Sequence, residues 1–141
     1  MIFLTGNLLD IEQGMIAHQV NCYRVAKAGL AKQIGERWPA WDRSFVQAHP
    51  APGHARYFYV SHLVVIADLY AQDDYGTGRR YTRYGWLATA LSEARSQAEG
   101  LGLKLYLPFG IGCGLGGGDW RTVLSIIEDC APSTILVKRA A

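Results

Sequence analysis

Hydrophobic positions along this chain follow two periods, and the points where one gives way to the other mark its elements. Residues 2–5 are a short apolar, β-rich run that stops at Gly6, and 15–20 (Met-Ile-Ala-His-Gln-Val) form a second run that ends at Asn21 and Cys22. From 28 to 37 the period changes: Leu30, Ile34 and Trp38 share a face at helical spacing. Pro39 then ends that helix or opens the next, over 40–46. Turn chemistry over 48–53 leads to strands over 56–60 and 63–70, joined as a hairpin through Ser61 and His62. Helical spacing returns over 84–99 with Leu87, Leu91 and Ala94 inward and Gly100 as its stop. A strand over 103–107, a helix over 120–129 and a strand over 135–137 follow.

Six strands interleaved with four helices predict an α/β fold, a mixed sheet covered by helices on both faces. No repeat, low-complexity tract or linker divides the chain, so residues 1–141 are expected to form one domain. Ligands of such sheets sit beyond the carboxyl ends of the strands, where loops lead into helices.

Composition narrows the field of functions. With 14 Lys and Arg against 12 Asp and Glu, the net charge is +2, too even for a nucleic-acid coat or a membrane-surface protein. Cys22, Cys113 and Cys130 are odd in number and form no CxxC pair, which points away from zinc and disulfides and towards reduced thiols. No metal or cofactor is implied. The first residues carry no basic region and too short an apolar stretch for a signal peptide or membrane span, so the expected location is cytoplasmic.

Two strand–loop–helix joints carry candidate chemistry. The sharper is the stretch 107–120, where six glycines fall within the nine residues 110–118. Glycine removes the Cβ that blocks close backbone approach and allows positive φ, so successive N–H groups can converge on a phosphate beside a helix start. The spacing is not that of an ATPase phosphate loop, nor of a dinucleotide fingerprint with its acidic ribose ligand. The other joint, 18–31, places Asn21 at a strand end and Gly29 near a helix start, with Arg24 and Lys27 between them as cations able to pair with phosphate.

Together these segments resemble the macro domain family over nearly the whole chain. Gly6-Asn7-Leu8-Leu9 is similar to its N-terminal motif, and His18-Gln19-Val20-Asn21 to the strand ending in an asparagine. Ala28-Gly29-Leu30-Ala31 resembles its first loop and helix start. Gly112-Cys113-Gly114-Leu115 resembles the loop of the branch containing terminal ADP-ribose protein glycohydrolase and ADP-ribose-1''-phosphate phosphatases. The resemblance implies ADP-ribose as ligand. Asn7 and Leu8 would face the adenine and Asn21 the distal ribose. Lys27, Ala28, Gly29 and Leu30 would lie on one side of the diphosphate, and Ile111, Gly112, Cys113, Gly114 and Leu115 on the other. Gly116 stands where the glycohydrolase has an aspartate, and Gln72 where it has a lysine, so a lysine-adduct mechanism does not carry over.

For catalysis the candidates are His18, Asn21 and Asp119. His18 either moves protons in the site or packs within its strand. Asp119 caps the helix that follows or activates water. The expected function is binding of ADP-ribose with hydrolysis of a derivative: an ADP-ribosylated protein or nucleic acid, or the 1''-phosphate. The alternative is a non-catalytic reader or sponge. The loop 75–84 interleaves three arginines with three tyrosines and reads either as a cap over a nucleotide or as a solvated loop.

Overall fold

The structure, a computed structural model, describes residues 1–140. Strand β1 (Ile2–Thr5) is followed by a 3₁₀ turn, Leu8–Asp10, and then β2 (Gly14–Asn21), α1 (Gly29–Arg37) and α2 (Pro39–Gln47). Next come β3 (Ala55–Tyr59), β4 (Val64–Gln72), α3 (Tyr84–Leu101), β5 (Leu105–Pro108), α4 (Trp120–Cys130) and β6 (Ile135–Lys138). The strands build one sheet in the order β1-β6-β5-β2-β4-β3, with β3 antiparallel to β4 and every other pair parallel.

Burial on both faces explains why β2 and β4 read as nearly continuous apolar runs. Met15 and Ala17 of β2, with Val65, Ala67 and Leu69 of β4, pack beneath α3 and α4. The alternate residues, Ile16 and Val20 with Ile66 and Tyr70, pack against Ile34 of α1 and against Trp41 and Phe45 of α2. This is the three-layer α/β/α arrangement with a mixed six-stranded sheet that the sequence predicts. Among the described residues no helix is long and apolar enough to cross a membrane.

Several boundaries differ from the sequence reading, each for a local reason. Helix α3 runs through Gly100 and stops at Gly102, whose φ of +69° lets its N–H reach Glu99 O while Leu103 N–H returns to Ala98 O. Leu103 is spent on that stop, so β5 begins two residues later. Helix α1 begins at Gly29 because Ala28 is extended, at φ −148° and ψ 162°. The hairpin before β4 is as expected, pinned by Ser61 Oγ, which accepts from Leu63 N–H and Val64 N–H.

Candidate functional site

A cleft of about 770 Å³ opens at the carboxyl ends of β2 and β5. One wall is the β2–α1 connection. Asn21, almost fully buried, holds that turn with its side chain: Oδ1 accepts from Tyr23 N–H at 3.0 Å and Val25 N–H at 3.1 Å, and Nδ2 donates to Val25 O at 2.9 Å. Arg24, at the tip, is held at φ +61°, in the left-handed region that L side chains enter at a cost. The chain then extends through Ala28 into α1. No side chain among the described residues caps this helix start: Ala28 offers no acceptor and the first turn contains no acid. Ala28, Gly29, Leu30 and Ala31 all line the cleft, so the positive end of the helix opens onto it.

The glycine loop between β5 and α4 makes the opposite wall. Ile111 anchors it, buried among residues of α3 and α4. Gly110, Gly112 and Gly117 take φ of +82°, +77° and +71°. The loop closes on itself through Cys113 N–H to Gly110 O, Gly117 N–H to Gly114 O and Gly118 N–H to Gly112 O. Packing alone dictates two further glycines. A Cβ on Gly116 would lie 2.5 Å from Thr82 Oγ1, and one on Gly118 would lie 2.7 Å from Gly112 O. The absence of an aspartate at 116 is therefore a steric necessity here. The N–H groups of Gly112, Gly114, Leu115 and Gly116 have no acceptor among the described residues, and all four residues line the cleft. At the tip, Leu115 Cδ1 approaches within 3.7 Å of the place a Cβ on Gly29 would occupy, so the two walls nearly meet.

The floor is polar and was largely missed by the sequence reading. Gln19 Nε2 donates to Gln72 Oε1 at 3.0 Å and to Thr82 Oγ1 at 2.8 Å, and the Thr82 hydroxyl donates to Gly112 O at 2.8 Å. Thr82 N–H and Tyr81 N–H both donate to Gly116 O, so residues 81 and 82 brace the glycine loop from below. The legible part of this signal is Gln19 and Asn21 sharing one face at the end of β2. Gln72 and Thr82 come from distant segments and carry no local mark. Beside them His18, 1% exposed, is among the residues that border the cleft. Its Nε2 lies 2.7 Å from Asp68 Oδ1, and its Nδ1 has no partner among the described residues.

Asn7, Leu8, Asp119 and Cys113 are not among the residues that line this cleft. Asn7 is exposed and spends its Oδ1 capping the 3₁₀ turn, from Leu9 N–H at 2.9 Å, while Leu8 is buried against the α1–α2 side of the sheet. Neither is among the residues that line the cleft. Asp119 is the N-cap of α4: Oδ2 accepts from Thr122 N–H at 3.1 Å and Thr122 Oγ1 at 3.0 Å. It too is outside the cleft. Cys113 belongs to the loop by its backbone, but its thiol packs against the α3–α4 core and contacts Ile111 O. Burial, aided by the charge of Asp119, pushes that thiol up, away from the thiolate a nucleophile needs.

Electrostatically the cleft suits an anion. Lys27 lines it with no acidic partner among the described residues, and no carboxylate is among the side chains that form it. At the rim Tyr23 and Tyr75, both more than half exposed, meet edge to face with centroids 6.2 Å apart. The arginines of the loop 75–84 are mostly occupied. Arg79 and Arg83 both pair with Asp73, at 3.1 and 2.8 Å, and Arg80 lies over the Tyr84 ring at 4.2 Å. Burial alone would raise the Asp73 carboxyl, but the hydrogen bonds and charges of Arg79 and Arg83 hold it below the usual range. Tyr81 is buried and Tyr84 half-buried, while Tyr75, Gly76 and Thr77 of the same segment line the cleft.

No family model matches the sequence, and no curated protein matches it either. Solved structures do. A macrodomain protein from Streptomyces coelicolor is 24% identical with a TM-score of 0.75, all of both chains being covered. The macrodomain of Thermus aquaticus DarG is 18% identical with a TM-score of 0.80, over 99% of this chain and 97% of that one. Thermosipho africanus DarTG in complex with ADP-ribose is 16% identical with a TM-score of 0.80, over 99% of this chain and 42% of that one. With its sheet order, its two covered faces and this agreement across the whole chain, the protein has the macrodomain fold.

Proposed function

We propose that the chain binds ADP-ribose, free or attached to a protein or nucleic acid, with the diphosphate between the start of α1 and the glycine loop. One observation carries this reading. The uncapped positive end of α1 faces a loop with four open N–H groups across a cleft bare of carboxylates. The cleft's volume falls within the usual range for small-molecule sites, and Lys27 adds a cation at its edge. The ADP-ribose complex of the Thermosipho protein, alike in fold, supports the same ligand. The three cysteines are free, which suits a reducing compartment, and we place the protein in the cytoplasm.

A second reading adds hydrolysis of an ADP-ribose derivative: an ester of a protein side chain, a link to a nucleobase, or the 1''-phosphate. It is favoured by His18, which borders the cleft and is of the residue type that carries protons in such chemistry. Asn21 and Asp119 contribute less to it, because their side chains are committed to a turn and a helix cap. Calorimetry with ADP-ribose, AMP and ribose 5-phosphate tests the first reading, which expects ADP-ribose to bind far more tightly than either fragment. Release assays on modified protein, modified DNA and ADP-ribose 1''-phosphate test the second. Turnover abolished by His18→Ala with binding retained supports a hydrolase, and binding without any turnover leaves a reader or sponge.

A further inference from the structure

On one side the sheet ends in a strand that no described residue covers. β1 is outermost in the strand order and pairs with β6 alone among the described residues. All four of its residues are exposed, Ile2 by 54%, Phe3 by 56% and Leu4 by 46%, although these three are large and apolar. Alternation along the strand turns Phe3 to one face of the sheet and Ile2 and Leu4 to the other. On the first face Phe3 meets the half-exposed Phe109 edge to face at 6.2 Å, and Lys138, over the Phe109 ring at 5.2 Å, rims the patch with charge. The outer backbone is open as well. Ile2 N–H donates to Thr134 O and Gly6 N–H to Lys138 O, so alternation points the N–H and C=O groups of Phe3 and Thr5 away from β6.

Folded proteins guard such an edge with a charge, a proline, a bulge or a covering element. The opposite edge of this sheet follows that rule. β3 carries Arg56, and α3 closes on it through Glu93, which accepts from Ala55 N–H, and through Gln97, which donates to the Tyr59 hydroxyl. β1 has none of these guards. Residues 1–5 contain no charge and no proline, and the register against β6 is unbroken. Only its length of four residues limits what it can hold.

We propose that β1 is a dimer interface, pairing antiparallel with β1 of a second copy of this chain about a two-fold axis at Phe3. In this register Phe3 N–H donates to Phe3 O of the second copy and the reverse, while Ile2 lies opposite Leu4. Each opposed pair over residues 2–4 is then apolar, and the axis brings no like charges face to face. That self-complementarity selects a second copy over a foreign strand, whose charges would find no complement here. The area is sufficient. Close to half of Met1, Ile2, Phe3, Leu4 and Phe109 is exposed, which at roughly 200 Å² for each large side chain gives about 450 Å² per copy. With the backbone edges, two copies reach the ~1,000 Å² at which specific interfaces begin. Nothing in this proposal depends on what the cleft holds.

Sedimentation velocity on the full chain from about 1 μM to about 1 mM is the test, and the wild type should pass from monomer to dimer within that range. Phe3→Lys removes an apolar contact from both copies and sets two like charges opposite each other, so it should weaken the dimer at least ~100-fold. Its thermal midpoint shows whether it is folded, and Leu4→Lys makes the same test from the other face of the strand should it not be. Oxidation reads the register. Phe3→Cys should give a disulfide-linked dimer on a non-reducing gel, because residues paired in this way have Cα atoms about 5.5 Å apart. Leu4→Cys, displaced from the axis, should not. A wild type that stays monomeric throughout overturns the proposal. So does a dimer that persists undiminished in a folded Phe3→Lys or Leu4→Lys, and so does cross-linking of Leu4→Cys in preference to Phe3→Cys.

Discussion

The two walls of the cleft solve the same problem by opposite means. On the α1 side a single side chain, Asn21, ties three backbone groups of the turn and leaves the helix start bare. On the β5–α4 side no one side chain dominates. The glycine loop is held by its own backbone, by Thr82 and Tyr81 beneath it and by the absence of Cβ atoms. The first wall can therefore be broken by removing atoms and the second by adding them.

That contrast yields graded predictions. The largest effect should come from Gly118→Ala, whose new Cβ meets a backbone oxygen at 2.7 Å rather than a yielding side chain. Overpacking of this kind costs about 3 kcal/mol. Urea denaturation should register it, and ADP-ribose binding should be lost with it. Asn21→Ala should cost about 2 kcal/mol by leaving the N–H groups of Tyr23 and Val25 and the carbonyl of Val25 unpaired. The same denaturation experiment checks this, and a change within experimental error would mean that the turn holds itself. The smallest effect has the opposite sign. Arg24→Gly relieves a positive φ of +61°, and after the extra freedom glycine gives the unfolded chain it should stabilise by under ~1 kcal/mol. Thermal unfolding should show a slightly raised midpoint.

The same contrast explains how much was legible in the sequence. Both walls were visible because each is local: the glycine run lies within nine residues, and Asn21 precedes α1 by eight positions. The layer order was visible because helices bury both faces of β2 and β4, leaving long apolar runs. The floor was not visible. Gln19, Gln72 and Thr82 converge from three segments, and nothing near Gln72 or Thr82 in the chain marks them as partners. Asp68 sits in the run Val-Val-Ile-Ala-Asp-Leu-Tyr-Ala, where its neighbours say only core, and its partners Trp41, Arg56 and His18 come from other elements. Asn7 and Asp119 each spend an oxygen on capping a turn or helix, the commonest use of such a side chain at such a place and, for Asp119, one of the two readings the sequence offered.

If free N–H groups at the start of α1 hold the anionic ligand, Ala28→Asp should disrupt that binding at its source. An aspartate at this N-cap supplies the missing acceptor and a negative charge at the same point. The variant should fold as stably as wild type or about 1 kcal/mol more so, with ADP-ribose affinity in calorimetry down at least ~100-fold from charge repulsion at short range. An Ala28→Asp protein that is folded and binds ADP-ribose as tightly as wild type would contradict it.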